Sequence, residues 1–340
     1  MLAIAERGKI RHSERGLPDS APLMPLHPDT LRVPPGAPEP FRHHHPADTL
    51  GYNDKAEAQI LLAELLVKLR ALHDRLYAES RWSLLIILQA MDAAGKDGIV
   101  KHVLSGFNQQ SCHVTAFRPP AGAELSHSFL WRCQLPLPAR GEIGAYNRSY
   151  YEEVLVPRVH PEYLPPQRLP TACLAGDNTT PAALKKSAAE PRSPKSHPPA
   201  PPAAFWQARF DDINAFERHL VRNGTRVLKF FLNLSREEQK RRFLARIADP
   251  VRNWKFQPND ARDRRNWRRY QQAYADVLSA TSTAWAPWHI VPADFKYVAR
   301  VAVAEILHHE LRALNPQFPR LDQRGKAGLV RAKKALEREK

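Results

Sequence analysis

The run Leu84-Leu85-Ile86-Ile87-Leu88 has no polar interruption and leads directly into Gln89-Ala90-Met91-Asp92-Ala93-Ala94-Gly95-Lys96-Asp97-Gly98. An apolar run of strand length without alternation fits a strand covered on both faces, as in a parallel sheet with helices on either side. The segment after it has the spacing of a Walker A loop, with alanine in place of the first glycine. Such a loop turns backbone N–H groups toward phosphate oxygens at a helix N-terminus, and its lysine adds a point charge. Strand, Gly95 and Lys96 stand in the required order, so a phosphate-binding loop is expected where that strand ends.

The pattern around this unit continues it. Leu61, Leu62, Leu65, Leu66, Leu69, Leu72 and Leu76 recur at three- and four-residue steps, which predicts an amphipathic helix from Lys55 to about Ser80. Arg226–Leu232 reads as a second buried strand, and Ser235 with Glu238 forms a capping box opening a helix. His289–Val291 reads as a third strand followed by another helical pattern. Strands alternating with helices predict a three-layer α/β fold with a parallel sheet and helices on both faces.

Three segments stand apart. Residues 1–48 are rich in proline, histidine and charge without apolar periodicity, and are expected to form an extended, disordered leader. Its His43, His44 and His45 lack second-shell partners in the sequence and fit a solvated segment better than a metal site. Residues 165–204, dominated by proline, alanine and serine, are expected as a flexible insertion within a domain spanning 49–322. Residues 323–340 form a basic tail with the composition of a short exposed helix.

A formal net charge of +16 favours a polyanionic partner. Cys112, Cys133 and Cys173 are odd in number and include no CxxC pair, so neither a disulfide framework nor a zinc knuckle is suggested and a reducing compartment is the simplest reading. No apolar stretch has the length of a membrane span, so a cytoplasmic protein without membrane partners is expected. Asp97 replaces the Ser/Thr that usually follows the lysine and holds Mg²⁺, whereas Asp92 lies inside the loop. A carboxylate beside bound phosphates needs a divalent cation between them, which makes Asp92 the first candidate metal ligand.

The segment Leu88–Gly98 closely resembles the phosphate loop of family-2 polyphosphate kinases. Phe129-Leu130-Trp131-Arg132 and Gly141 through Val156, with Asn147-Arg148-Ser149-Tyr150-Tyr151-Glu152-Glu153 at its centre, resemble that family's second motif. Asp249-Pro250 with Trp254-Lys255 is similar to its lid, and Thr281-Ser282-Thr283 through Ala286-Pro287-Trp288 to its last motif. The resemblance runs from about residue 50 to 320 apart from the insertion. It implies a P-loop kinase core with a helical lid at about 236–275, and Mg²⁺-dependent phosphoryl transfer between inorganic polyphosphate and AMP, ADP or ATP. It also implies a homo-oligomer. The Asn-Arg-Ser-x-Tyr-Glu form resembles the subgroup that accepts both AMP and ADP. Ala90 and Glu153 depart from the family's glycine and aspartate, and alanine would strain the loop if position 90 required positive φ.

In-line phosphoryl transfer needs converging cations and metal-holding carboxylates. The implied catalytic set is Asp92, Lys96, Arg148 and Glu153, with Asp92 and Glu153 on the metal; adjacent Glu152 and Glu153 point apart on a helix, so one of the two is expected to serve. Binding roles fall to Ala93, Ala94, Gly95, Asp97 and Gly98 of the loop, to Arg118, Arg132, Asn147 and Glu152, and to Arg242, Arg246 and Lys255 of the lid. Lys101, His102 and Arg118 are candidates for the polyphosphate path, with a core or surface role standing beside it for His102. Arg264–Tyr270 mixes cations and aromatics as single-strand nucleic-acid platforms do, but the helical spacing of Trp267, Tyr270 and Tyr274 turns the aromatics toward the core, so nucleic acid is the weaker candidate partner. An ATP-dependent nucleotide kinase and a catalytically impaired polyanion-binding protein are the alternatives.

Overall fold

The structure, a computed structural model, describes residues 26–170, 173–174, 201–256 and 258–339. Most of the 165–204 insertion and residues 1–25 of the leader lie outside the described residues.

Five strands form one parallel sheet: β1 Ser83–Gln89, β2 Cys112–Ala116, β3 Ile143–Asn147, β4 Thr225–Asn233 and β5 Trp288–Pro292, in the order β2-β3-β1-β4-β5. Strand β1 is central and buried at all seven residues, so its two faces serve two cores. Leu84, Ile86 and Leu88 meet α1 (Lys55–Glu79), α2 (Lys96–His102) and α9 (Lys296–Leu314) in one cluster. Leu85 and Ile87 join the other, with α4 (Glu152–Val159), α5 (Ala203–Arg222) and α8 (Trp267–Thr281). The remaining helices are α3 (Trp131–Gln134), α6 (Arg236–Ala248), α7 (Pro258–Asp263) and α10 (Gln323–Leu336). Helices on both faces of a parallel sheet give the α/β architecture expected from the continuous apolar run.

Helix α1 begins at Asp54, whose carboxylate accepts from the N–H groups of Ala56 and Glu57, and ends at Ser80 in the left-handed conformation. Strands β2 and β3 had no clear signature. The first is a short edge strand with exposed residues, and the second mixes glycine, tyrosine and asparagine into its pattern. The tail helix α10 buries no residue.

Two expectations need correction. Residues 26–48 pack instead of trailing: Val33 N–H donates to the Trp288 carbonyl (2.8 Å), and Arg32 bridges His289 in antiparallel sense, which covers the open edge of β5. Leu31 and Val33 are buried, and the His44 carbonyl accepts from Asn233 Nδ2 (2.7 Å). Backbone bonds and a few buried apolar side chains hold this segment, so no apolar periodicity is needed. The expected insertion also starts too early, because Gln167 bonds Glu153 and Arg209 within the core.

A buried ion pair fixes the second core. Lys229 on β4 donates to Glu217 on α5 (2.6 Å) and to the Thr281 carbonyl (2.6 Å), while Glu217 accepts from the hydroxyls of Tyr150 (2.9 Å) and Tyr151 (2.8 Å). Both members are fully buried. Burial pushes the Lys229 ammonium down, against the pull of Glu217. Glu217→Ala is expected to cost about 3–5 kcal/mol, because it strands a charge without a partner. Glu217→Leu with Lys229→Met is expected to recover most of that loss in urea unfolding; a double variant as weak as the single one would contradict the pair's role.

Candidate active site

All the elements of the site leave the sheet at its carboxyl edge, where the strand order reverses beside β1. The loop 90–95 follows β1, the turn 148–151 follows β3, α6 follows β4, and Ala293-Asp294 follow β5.

Gly95, at φ 118°, lies in a region closed to side-chain-bearing residues and opens α2 as its N-terminal cap. Lys96 is buried at the first position of that helix. Its Nζ donates to the Ala90 carbonyl (2.8 Å) and, more weakly, to that of Met91 (3.4 Å), so the ammonium lies folded against its own loop. Burial first, then the Arg148 charge, pushes it down to about 8, while Asp92, Glu152 and Asp97 pull the other way. Asp97 accepts from Asn147 Nδ2 (2.9 Å), tying the first turn of α2, which also carries Gly98, to the end of β3. Ala90 does not have positive φ; the strained residues here are Ala93 (φ 64°) and Arg148 (φ 68°).

Arg148 lies between two acids, donating to Asp92 Oδ1 (2.8 Å) and Glu152 Oε2 (3.3 Å). Glu152 and then Asp92 hold its guanidinium above the ordinary range. The Arg148 N–H donates to the Leu88 carbonyl (3.0 Å), which anchors the turn to β1. The structure thus brings together Asp92, Lys96, Asp97, Asn147, Arg148 and Glu152.

Other expected members stand elsewhere. Glu153 is buried and faces away, accepting from Arg132 Nη2 (3.2 Å) and Gln167 Nε2 (2.8 Å), with its own carbonyl on Arg209 (2.7 Å). Burial holds its carboxyl up in spite of Arg209 and Arg132, a poor state for a metal ligand. Of the adjacent pair, the helix turns Glu152 to the loop. Arg132 is also structural, pairing with Glu153 and Glu124 (3.5 Å) and donating to the Arg118 carbonyl (2.6 Å). The Arg118 side chain is exposed.

Arg242 is no free lid cation. It is buried and donates to the carbonyls of Ala93 and Ala94 (2.9 Å each), Ala293 (2.6 Å) and Asp294 (3.0 Å), with Nε on Glu238 (2.7 Å). The capping box is half formed: Ser235 Oγ accepts from the Glu238 N–H, but the Ser235 N–H donates to Asp294 and leaves Glu238 to the arginines. Arg246 lies over Phe243, and exposed Lys255 lies over Trp254, beyond the Ala248 helix end.

Sequence reasoning missed Gln239, one turn into α6, which donates to the Asp92 carbonyl (2.9 Å) and accepts from Arg264 (2.7 Å). It also missed that Tyr270 and Tyr274 line the same cleft as Asp92, Arg148 and Glu152. Burial pushes both phenols up, so they remain neutral donors. Tyr274 is buried as expected; Tyr270 serves core and cleft together.

Among the described residues no three His, Cys, Asp or Glu side chains are arranged to cage a metal. The donor set instead offers hard carboxylate oxygen at half-buried Asp92, one of whose oxygens pairs with Arg148. That chemistry fits Mg²⁺, which is commonly bound by one or two carboxylates together with substrate phosphates.

A family model described as polyphosphate kinase 2 matches residues 52–169 and 202–319. The chain is 44% identical over 268 residues to an ADP-polyphosphate phosphotransferase of Rhodopseudomonas palustris, covering 79% of this chain and 84% of that one. It is 36% identical over 289 residues to an AMP/ADP-polyphosphate phosphotransferase of Meiothermus ruber, covering 85% and 94%. The crystal structure of polyphosphate kinase 2 from Arthrobacter aurescens superposes with a TM-score of 0.70 at 36% identity, covering 88% of this chain and 94% of that one. Site geometry and similarity agree: the chain belongs to the polyphosphate kinase 2 family.

Proposed function

We propose that this polyphosphate kinase transfers phosphoryl groups between inorganic polyphosphate and AMP or ADP, in either direction, with Mg²⁺ at Asp92. The observation that carries this reading is the cluster at the end of β1. There, two cations, Lys96 and Arg148, are held in place by the acids Asp92 and Glu152 and by loop carbonyls that an incoming polyanion can replace.

Lys96 is poised for exchange. Its present acceptors are two neutral carbonyls, and a phosphate oxygen offers it a charge-assisted bond instead. Arg148 can grip a phosphate bidentately while keeping one acid partner, because its two terminal nitrogens serve different acids. Asp92 would hold Mg²⁺, which would supply charge neutralisation for the phosphates. The two tyrosines and Gln239 close the cleft around the acids and limit water there. Arg246 and Lys255, beyond the fixed part of α6, are the cations of a lid that closes over the chain. Of the features behind the impaired reading, Ala90, Glu153 and the excess charge, the first carries no positive-φ strain.

No helix among the described residues is long and apolar enough to cross a membrane. Cytoplasmic location and a homo-oligomeric state belong to the same proposal.

With Mg²⁺, long-chain polyphosphate and either AMP or ADP, chromatography is expected to show ADP or ATP, and Lys96→Ala to lower turnover by about 10²–10³-fold. Product formed from ATP and AMP alone, with polyphosphate inert as donor, would instead favour an ATP-dependent nucleotide kinase.

The neighbouring glutamates separate by readout. Glu152→Gln is expected to lower kcat by roughly tenfold or more while leaving the melting temperature in place, because it releases Arg148. Glu153→Gln is expected to lower stability by about 3 kcal/mol, because it leaves buried guanidiniums short of a charge. The opposite pattern would restore Glu153 to the site.

Lys96 acts as a cation, and its ammonium loses the proton above about 8. The free enzyme's kcat/KM is therefore expected to fall as pH rises through that value. In Lys96→Arg, whose guanidinium stays charged, the alkaline fall should move beyond the measured range. An unmoved limb would assign it to another group.

A further inference from the structure

We propose that the groove between Arg42, His43 and His45 on one side and Asn233 and Gln271 on the other is a second phosphate-chain subsite, holding polyphosphate away from its reacting end. The inference rests on the polyphosphate reading above and adds a site to it.

The groove is an open depression of about 370 Å³, room for several phosphate units rather than one. Its wall is a single stretch, Arg42-His43-His44-His45, faced by amides from β4 and α8, and Asp48 is the one acid lining it. The Arg42 guanidinium and the imidazole N–H groups of this wall are donors that an anion can take. His45 Nδ1 accepts from the Ala47 N–H (3.2 Å), so its ring proton is on Nε2, available to a ligand. Burial and the neighbouring His43 push the His44 imidazole down, and its backbone does the anchoring. Among the described residues the Arg42 guanidinium has a solvent-exposed pair with Glu39 (3.7 Å), weak enough to be exchanged for phosphate.

Position supports the ligand class. The His44 carbonyl is tied to Asn233 at the carboxyl end of β4, and the Pro46 carbonyl accepts from the Asp294 N–H (3.1 Å) beyond β5. The carbonyl of that same Asp294 is held by Arg242, whose other nitrogen holds Ala93 and Ala94 of the phosphate loop. Groove and loop therefore lie on one edge of the sheet, joined through one guanidinium. A polymer gripped at both places gains from linkage, because its second contact forms at high effective concentration. A short chain that fills only the loop does not gain.

The test compares the full chain with R42Q/H43Q/H45Q at fixed ionic strength and saturating nucleotide and Mg²⁺. KM is measured for long-chain polyphosphate and for tripolyphosphate, and long-chain binding is measured separately without nucleotide. The expected result is a rise of roughly tenfold or more in long-chain KM and dissociation constant, with tripolyphosphate KM moving less than about twofold. These substitutions are on an exposed segment anchored through its backbone, so folding is not at stake. Unchanged long-chain binding would overturn the proposal, and so would an effect confined to nucleotide KM, which would assign the groove to a nucleoside. If the parent chain turns over no polyphosphate but the triple variant still weakens its binding, the catalytic reading fails and the subsite stands.

Discussion

The guanidinium of Arg242 ties the phosphate loop to the rest of the sheet edge. It takes carbonyls from the loop at Ala93 and Ala94 and from the strand exit at Ala293 and Asp294, and it is itself held by Glu238. A phosphate-binding loop works by presenting N–H groups, so its carbonyls need partners on the other side. Arg242 supplies them from within the protein, and the loop is formed before any anion arrives. The cost of ordering it is met during folding rather than at binding. Lys96 occupies the Ala90 and Met91 carbonyls, and Gln239 occupies that of Asp92.

This clasp also explains where strain is tolerated. Two side-chain-bearing residues of the site, Ala93 and Arg148, sit in the left-handed region, at about 1–2 kcal/mol each. Each is over-determined by its neighbours: the Ala93 carbonyl by Arg242, and the Arg148 backbone by Leu88 of β1. The turn after β3 has a second support below it, because Tyr150 and Tyr151 hang from the buried Glu217–Lys229 pair. The charge buried in the second core thus sets the direction in which Arg148 and Glu152 leave the strand. The site is built on rigid elements and stores its strain where the chemistry needs an unusual backbone.

The loop, its strand, Asp92, Lys96 and Arg148 were legible in the sequence because their signals are local: an apolar run, a glycine, a lysine, a motif. What was not legible depended on partners far along the chain. Arg132 and Arg242 look like any lid or motif cation until Glu153 and the loop carbonyls, respectively, are seen to bury them. Glu152 and Glu153 differ by one step of the helix, about 100° of rotation, and only the turn geometry at 148–151 decides which faces the loop. Residues 26–48 gave no signal because they dock through bonds to their backbone and a few scattered apolar side chains, which leave no trace in side-chain periodicity.

The same reasoning limits which part of the proposed lid can move. Helix α6 is pinned at its base by Ser235, Gln239, Arg242 and Phe243, all engaged with the loop or the core. Helix α8, expected within the lid, is anchored in the second core through Tyr274, Val277 and Leu278. Between these anchors the segment is different, since Leu244, Ile247, Val251 and Trp254 are exposed apolar side chains. The chain turns at Asp249-Pro250, where the helix ends. In the proposed closure the pivot would lie beyond Phe243, with Arg246 and Lys255 outside the part of the helix that Arg242 fixes to the loop. On the proposed reading, one arginine of the helix would build the phosphate site, and cations farther along the segment would respond to what it binds.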